Sequence, residues 1–137
     1  MSNDGYTGHL FEEEVFGWCL AQPCEYMRWR EAVEAVRKNQ PRQKPPVATL
    51  LEREVSRQVG GRCVFYTAVR SALDKFHGVD GFFELGGRIV TVDLTMNPHK
   101  DSSKSDVLIR RGELDDIASL AGRIAREFTT QQRRAGW

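Results

Sequence analysis

The most constraining stretch of this chain is VDGFFELGGRIVTVDLT, from Val79 to Thr95. Two runs rich in β-branched and aromatic residues flank Leu85-Gly86-Gly87. Such side chains suit a pleated, half-buried surface, and adjacent glycines supply the backbone of a tight hairpin turn. The stretch therefore reads as two antiparallel strands, VDGFFE and RIVTVDLT. Pairing Phe83 or Glu84 with Arg88 or Ile89 sets Asp93 opposite Val79 or Asp80. Alternation along the second run puts Ile89, Thr91, Asp93 and Thr95 on one face and Val90, Val92 and Leu94 on the other. Asp93 interrupts a run otherwise fit for burial, so its carboxylate requires a partner. The candidates are a metal ion, backbone donors, or an ion pair with Arg62, Arg70 or Arg88.

The flanking segments supply the layers. GHLFEEEVFGWCLAQ spaces Phe11, Val15, Trp18 and Cys19 as one face of a first helix, ended by Pro23. EYMRWREAVEAVRKNQ is a second helix with Met27, Trp29, Val33 and Val36 apolar, and Trp18 and Trp29 are expected in the core. PRQKPPV, residues 41–47, carries three prolines and reads as a linker. VATLLEREVSRQVGG is a third helix stopped by Gly60-Gly61. CVFYTAV is a strand, SALDKFHG a connection, NPHKDSSKSD a polar loop and VLIR a short fourth strand. GELDDIASLAGRIAREF closes the chain as a helix with Leu114, Ile117, Leu120, Ile124 and Phe128 as its stripe. The expected fold class is α+β: N-terminal helices, a mixed sheet of three to four strands with a central hairpin, and a C-terminal helix. It is expected to form a single domain over residues 1–137. A helical part covers 1–40, the linker 41–47, a helix–sheet–helix core 48–128 and a basic tail 129–137.

Bulk properties exclude some classes. No apolar run approaches the roughly 18 residues of a membrane span, and the acidic start does not read as a signal peptide. Three cysteines, Cys19, Cys24 and Cys63, suit a reduced, cytoplasmic protein, and their spacing is wrong for a zinc knuckle. The net charge of +1 gives no global pull toward nucleic acid. The charge is nevertheless segregated. Residues 1–25 carry only acids, 26–70 are basic, 71–116 turn acidic, and Arg123, Arg126, Arg133 and Arg134 make the tail basic. An acidic centre between basic segments can bind a metal in the middle and phosphate around it.

Three motifs then align. Gly8, Phe11, Glu12 and Val15 form GxxFExxV in the first helix, Asp80 stands in HGVDGFF, and Asp93 in VTVDLT. A helical Glu followed by two strand acids resembles the restriction-endonuclease-like superfamily, the PD-(D/E)XK nucleases. The segment SALDKFHGVDGFF is similar to one in Holliday-junction resolvases. The resemblance implies a metal-dependent nuclease-like domain acting on DNA or RNA phosphodiesters with Mg²⁺ or Mn²⁺. Glu12, Asp80 and Asp93 would be metal ligands, and Asp80, Asp93, Thr95 and Lys100 the catalytic group. Arg62, Arg70, Lys75 and His77 are the candidate nucleic-acid contacts. DNA or RNA is the expected partner, with a homo-oligomer left open and no membrane. The chain departs from the family at Asp93-Leu94-Thr95, where an acid, any residue and Lys are the pattern. Lys75, Lys100 and Lys104 are candidates to supply the charge from elsewhere. Two alternatives follow from that departure: an endonuclease-like fold with its chemistry lost, serving as a nucleic-acid or protein interaction module, and a small structural or assembly protein.

Overall fold

The computed structural model describes residues 4–21 and 25–134. Its centre is the hairpin. Strand β2 (Gly81–Leu85) and strand β3 (Arg88–Thr95) pair antiparallel with Glu84 opposite Ile89 and Gly81 opposite Val92. Gly86 and Gly87 make the turn with φ of 55° and 82°, which side chains with a Cβ rarely adopt. Strand β1 (Val64–Thr67) adds antiparallel to β2, and strand β4 (Val107–Arg110) adds parallel to β3. The strand order is β1-β2-β3-β4, so the fold is α+β with a mixed four-stranded sheet.

Alternation along these strands builds two cores, one on each face. Phe65, Phe83, Val90, Val92, Leu94 and Ile109 face helix α1 (Asp4–Phe16), helix α3 (Pro46–Val59) and helix α5 (Ile117–Arg134). Phe11, Val15, Leu51, Val55, Ile124 and Phe128 are the helical side of that core. Phe82 points the other way, toward Val33 and Val36 of helix α2 (Trp29–Lys38) and Ala72 and Leu73 of helix α4 (Ala72–His77). Each fully buried aliphatic or aromatic side chain contributes about 1.5–3 kcal/mol, so both faces are anchored.

Several boundaries differ from the sequence expectation. Helix α1 stops at Phe16, where Gly17 takes φ 72°, so Trp18 and Cys19 lie beyond it. Pro23, expected to end that helix, and Cys24 lie outside the described residues. Cys19 and Cys63 are buried in different cores. Trp18 and Trp29, expected in the core, are 43% and 42% exposed. Pro46 and Val47 belong to α3 rather than to a linker, because proline lacks only an N–H that the first helical turn leaves unpaired anyway. SALDKFHG is not a plain connection: six of its residues form α4, capped by Ser71 and ended by Gly78 at φ 70°. The closing segment splits into a 3-10 turn, Arg111–Asp115, and α5, which extends through residue 134 into the expected tail.

Candidate metal centre

Asp80 sits where three strands meet. Its N–H donates to Val92 O at 3.0 Å and its carbonyl accepts from Ala68 N at 2.8 Å. The side chain, in a residue only 2% exposed, lies on the Phe82 face of the sheet, and its Oδ2 accepts the Leu94 N–H at 2.8 Å. Asp93 is on the same face of the neighbouring strand, within hydrogen-bond reach of Asp80. Asp74 comes from α4. Ser71 caps that helix by accepting from Asp74 N, and Asp74 Oδ2 accepts from Arg70 N at 2.8 Å. Arg70 holds φ 73°, a costly conformation for a long side chain, and this hydrogen bond offsets part of the cost. Glu12 arrives from α1, fixed by its buried neighbours Phe11, Val15 and Phe16. One carboxylate oxygen from each of Glu12, Asp74 and Asp80 falls within 4.8 Å of the others.

Four acids this close repel one another, at about 4 kcal/mol per pair 4 Å apart at an effective dielectric of 20. Their proton affinities record it. Burial, then Asp93, then Glu12 and Asp74 push the Asp80 carboxyl up to about 11. Burial, then the charges of Asp74, Asp93 and Glu13, raise Glu12 to about 7. Asp74 is raised too, chiefly by burial. The opposing charge is thin. Lys100 Nζ stands 3.4 Å from Asp93 Oδ2, and His9 Nδ1, a cation only when protonated, 3.6 Å from Glu12 Oε1. Glu12 Oε1 is itself buried without a hydrogen-bond donor among the described residues. An oxygen-rich, negatively charged cluster with an orphaned carboxylate oxygen fits a hard divalent cation such as Mg²⁺.

The remaining candidates are spread over several places. Lys75 and Lys100 line a cleft of about 310 Å³ together with Phe76, Asp93, Ser103 and Lys104. Thr95 is buried on the same strand face as Asp93, and its Oγ1 accepts from Asn97 N at 3.0 Å, closing the turn after β3. Arg70 Nε donates to Glu13 Oε1 at 2.7 Å, and the guanidinium lies over the Trp18 ring at 4.9 Å. His77 Nε2 is 2.8 Å from Met27 O, with its ring 5.5 Å from those of Tyr26 and Trp29. Arg62 does not join the site. It precedes β1, level with the Glu84 end of β2, whereas Asp80 lies past the other end of the same pairing. Asp93 is paired with Lys100 rather than with Arg62, Arg70 or Arg88. Asp74 was not foreseen, although Ser71-x-x-Asp74 is a helix-start pattern visible in the sequence.

No protein-family model matches the chain, and no curated protein or solved structure matches it.

Proposed function

We propose that this chain is a nuclease-like domain that hydrolyses DNA or RNA phosphodiesters with a divalent cation, in the manner of the PD-(D/E)XK nucleases it resembles. The observation that carries the reading is the convergence of Glu12 from α1, Asp74 from α4 and Asp80 from just before β2, with Asp93 against Asp80. Glu12, Asp80 and Asp93 would hold Mg²⁺ or Mn²⁺, with Asp74 beside them. When bound, the cation lowers the pKa of a water and stabilises charge on the phosphoryl oxygens. The chain's own groups do the rest. Asp80 is clamped by the Leu94 N–H, which fixes its free oxygen toward the cluster. Asp93 and Lys100 face the cleft, so an ammonium stands where a phosphate oxygen would approach. Lys100 thereby serves in place of the lysine that Thr95 replaces.

One observation favours a second reading, the same fold with its chemistry lost: the Thr95 hydroxyl is committed to Asn97 N and brings no charge. Cleavage assays separate the two. Single-stranded, duplex and RNA substrates incubated with Mg²⁺ or Mn²⁺ should be cut slowly by the wild type and not by Asp93→Ala. A wild type that cuts nothing with either ion, while Mn²⁺ still perturbs Asp80 and Asp93 signals in NMR, would favour the interaction module.

A further inference from the structure

The cleft beside Asp93 does not end at its lysines. Phe76, part of its lining, is 5.5 Å from Tyr26 in an edge-to-face contact, and Lys75 Nζ lies 5.3 Å over the Phe76 ring. Tyr26 in turn meets His77, and His77 meets Trp29, each at 5.5 Å between ring centroids. The result is a continuous surface: carboxylates, then Lys100, Lys104 and Lys75, then a row of rings. Tyr26 is 60% and Trp29 42% exposed, and with Phe76 and His77 they form a contiguous aromatic patch rather than scattered single residues. Arg28 and Arg30 flank Trp29 and are exposed as well. The cleft wall is held in place, since Ser105 Oγ donates to Gly78 O at 3.3 Å and ties the lysine-bearing loop to the end of α4.

We infer that this surface binds single-stranded nucleic acid, with the backbone along the lysines of the cleft and unpaired bases stacked on Tyr26 and Trp29. The inference deepens the nuclease-like reading and rests on it for the direction in which the strand runs, toward Asp93. The physical grounds are two. Ammonium groups lining a narrow cleft match the spacing-tolerant negative charge of a phosphate backbone. Exposed aromatic faces next to that charge offer a stacking platform that a duplex, whose bases already stack on each other, cannot use. A protein partner would also cover exposed rings, but the three lysines and two arginines around them favour a polyanion with flat, apolar bases.

The test is binding in EDTA, so that it is independent of catalysis. Tryptophan fluorescence of the full chain is titrated with an oligothymidylate, a blunt duplex of the same length, and inorganic polyphosphate, at several salt concentrations. The expected result is quenching by the oligothymidylate at an affinity about tenfold or more above that for the duplex, and no matching quench by polyphosphate. Trp29→Ala should weaken oligothymidylate binding by about tenfold and remove most of the quench. Tyr26→Ala, read by polarisation of a labelled oligonucleotide, should weaken it similarly. Trp18→Phe should not, because Trp18 engages the Arg70 guanidinium and stands outside the row of Tyr26, His77 and Trp29. Lys75→Ala and Lys104→Ala should each lower the slope of log affinity against log salt by about 0.7. Equal affinity for the duplex overturns the inference. So does polyphosphate quenching as well as the oligonucleotide, or unchanged binding in both aromatic variants, each checked for folding by circular dichroism. Loss of cleavage with this binding intact would instead count against the nuclease-like reading alone.

Discussion

At the scale of single residues, Asp80 is an uncomfortable group. It is buried beside Asp93, Asp74 and Glu12, and its carboxyl is held up to about 11. An acid whose folded pKa lies above its unfolded value binds its proton more tightly when folded, so stability falls as pH rises through that interval. For Glu12 the interval runs from 4.5 to about 7, and for Asp80 from 3.8 to about 11. The metal-free protein should therefore melt at a higher temperature at pH 5 than at pH 8. Adding Mn²⁺ should stabilise more at pH 8 than at pH 6, because the cation competes with those protons. Asp80→Asn keeps an oxygen for the Leu94 N–H and is neutral without taking up the proton that Asp80 must bind on folding at pH 8. It should raise metal-free stability at pH 8 by about 1–2 kcal/mol, several degrees in the melt, and abolish the Mn²⁺ increment. A lower melting temperature in EDTA would mean that the carboxylates are a stabilising network rather than a strained one. Asp93 was legible in the sequence for a physical reason, Glu12 only through a resemblance. Asp93 breaks a strand pattern, whereas Glu12, the first of three consecutive glutamates, stood out only through the GxxFExxV motif. Trp18 and Trp29 were misassigned, because helical spacing marks a face without saying what covers it.

At the scale of elements, β2 places Asp80, and Gly81 is what lets β2 lie where it does. A Cβ at Gly81 would stand 2.7 Å from Phe65 Cε1 and 3.0 Å from Tyr66 O. Gly81→Ala should cost about 1–3 kcal/mol by forcing β1 and β2 apart and should weaken the Mn²⁺ response through the adjacent Asp80. Gly86→Ala is the control: nothing lies within 4 Å, so its φ of 55° alone should cost about 1 kcal/mol and leave the Mn²⁺ response intact. Equal metal responses in the two variants would separate β2 placement from the site. The hairpin was readable because period-two alternation and two glycines fix strands, turn and register together. Helix α4 was not, since six residues span fewer than two turns and show no 3.6-residue period. The finish of the outer edge of β1 was also hidden. The Cys63, Phe65 and Thr67 N–H groups donate to Ser56 Oγ, Glu52 Oε2 and Gln40 Oε1. Those side chains block further strand pairing at that edge, and no local pattern announces bonds between residues 7, 13 and 27 apart.

At the scale of the whole molecule, the parallel pairing of β3 and β4 governs how Lys100 comes to lie beside Asp93. Parallel neighbours need a crossover, usually a helix. Here residues 96–106 return without one, as the short polar segment led one to expect. That loop carries Lys100 back over β3 to Asp93, and Arg110 Nη2, at the end of β4, donates to Lys100 O at 2.7 Å. Lys100 is thus held by the sheet topology itself, not by its distance in sequence from Asp93. If it supplies the ammonium of the site, Lys100→Ala should lower cleavage by about 10²–10³-fold, the usual size of one preorganised transition-state contact. Thr95→Lys alone should add little, because the charge is already present. In the Lys100→Ala background it should restore activity by at least tenfold, since positions 93 and 95 share a strand face. Rates from single-turnover cleavage of the four proteins decide it. Full activity in Lys100→Ala would remove this lysine from the chemistry, and a Thr95→Lys gain of equal size in both backgrounds would show that the two positions act independently.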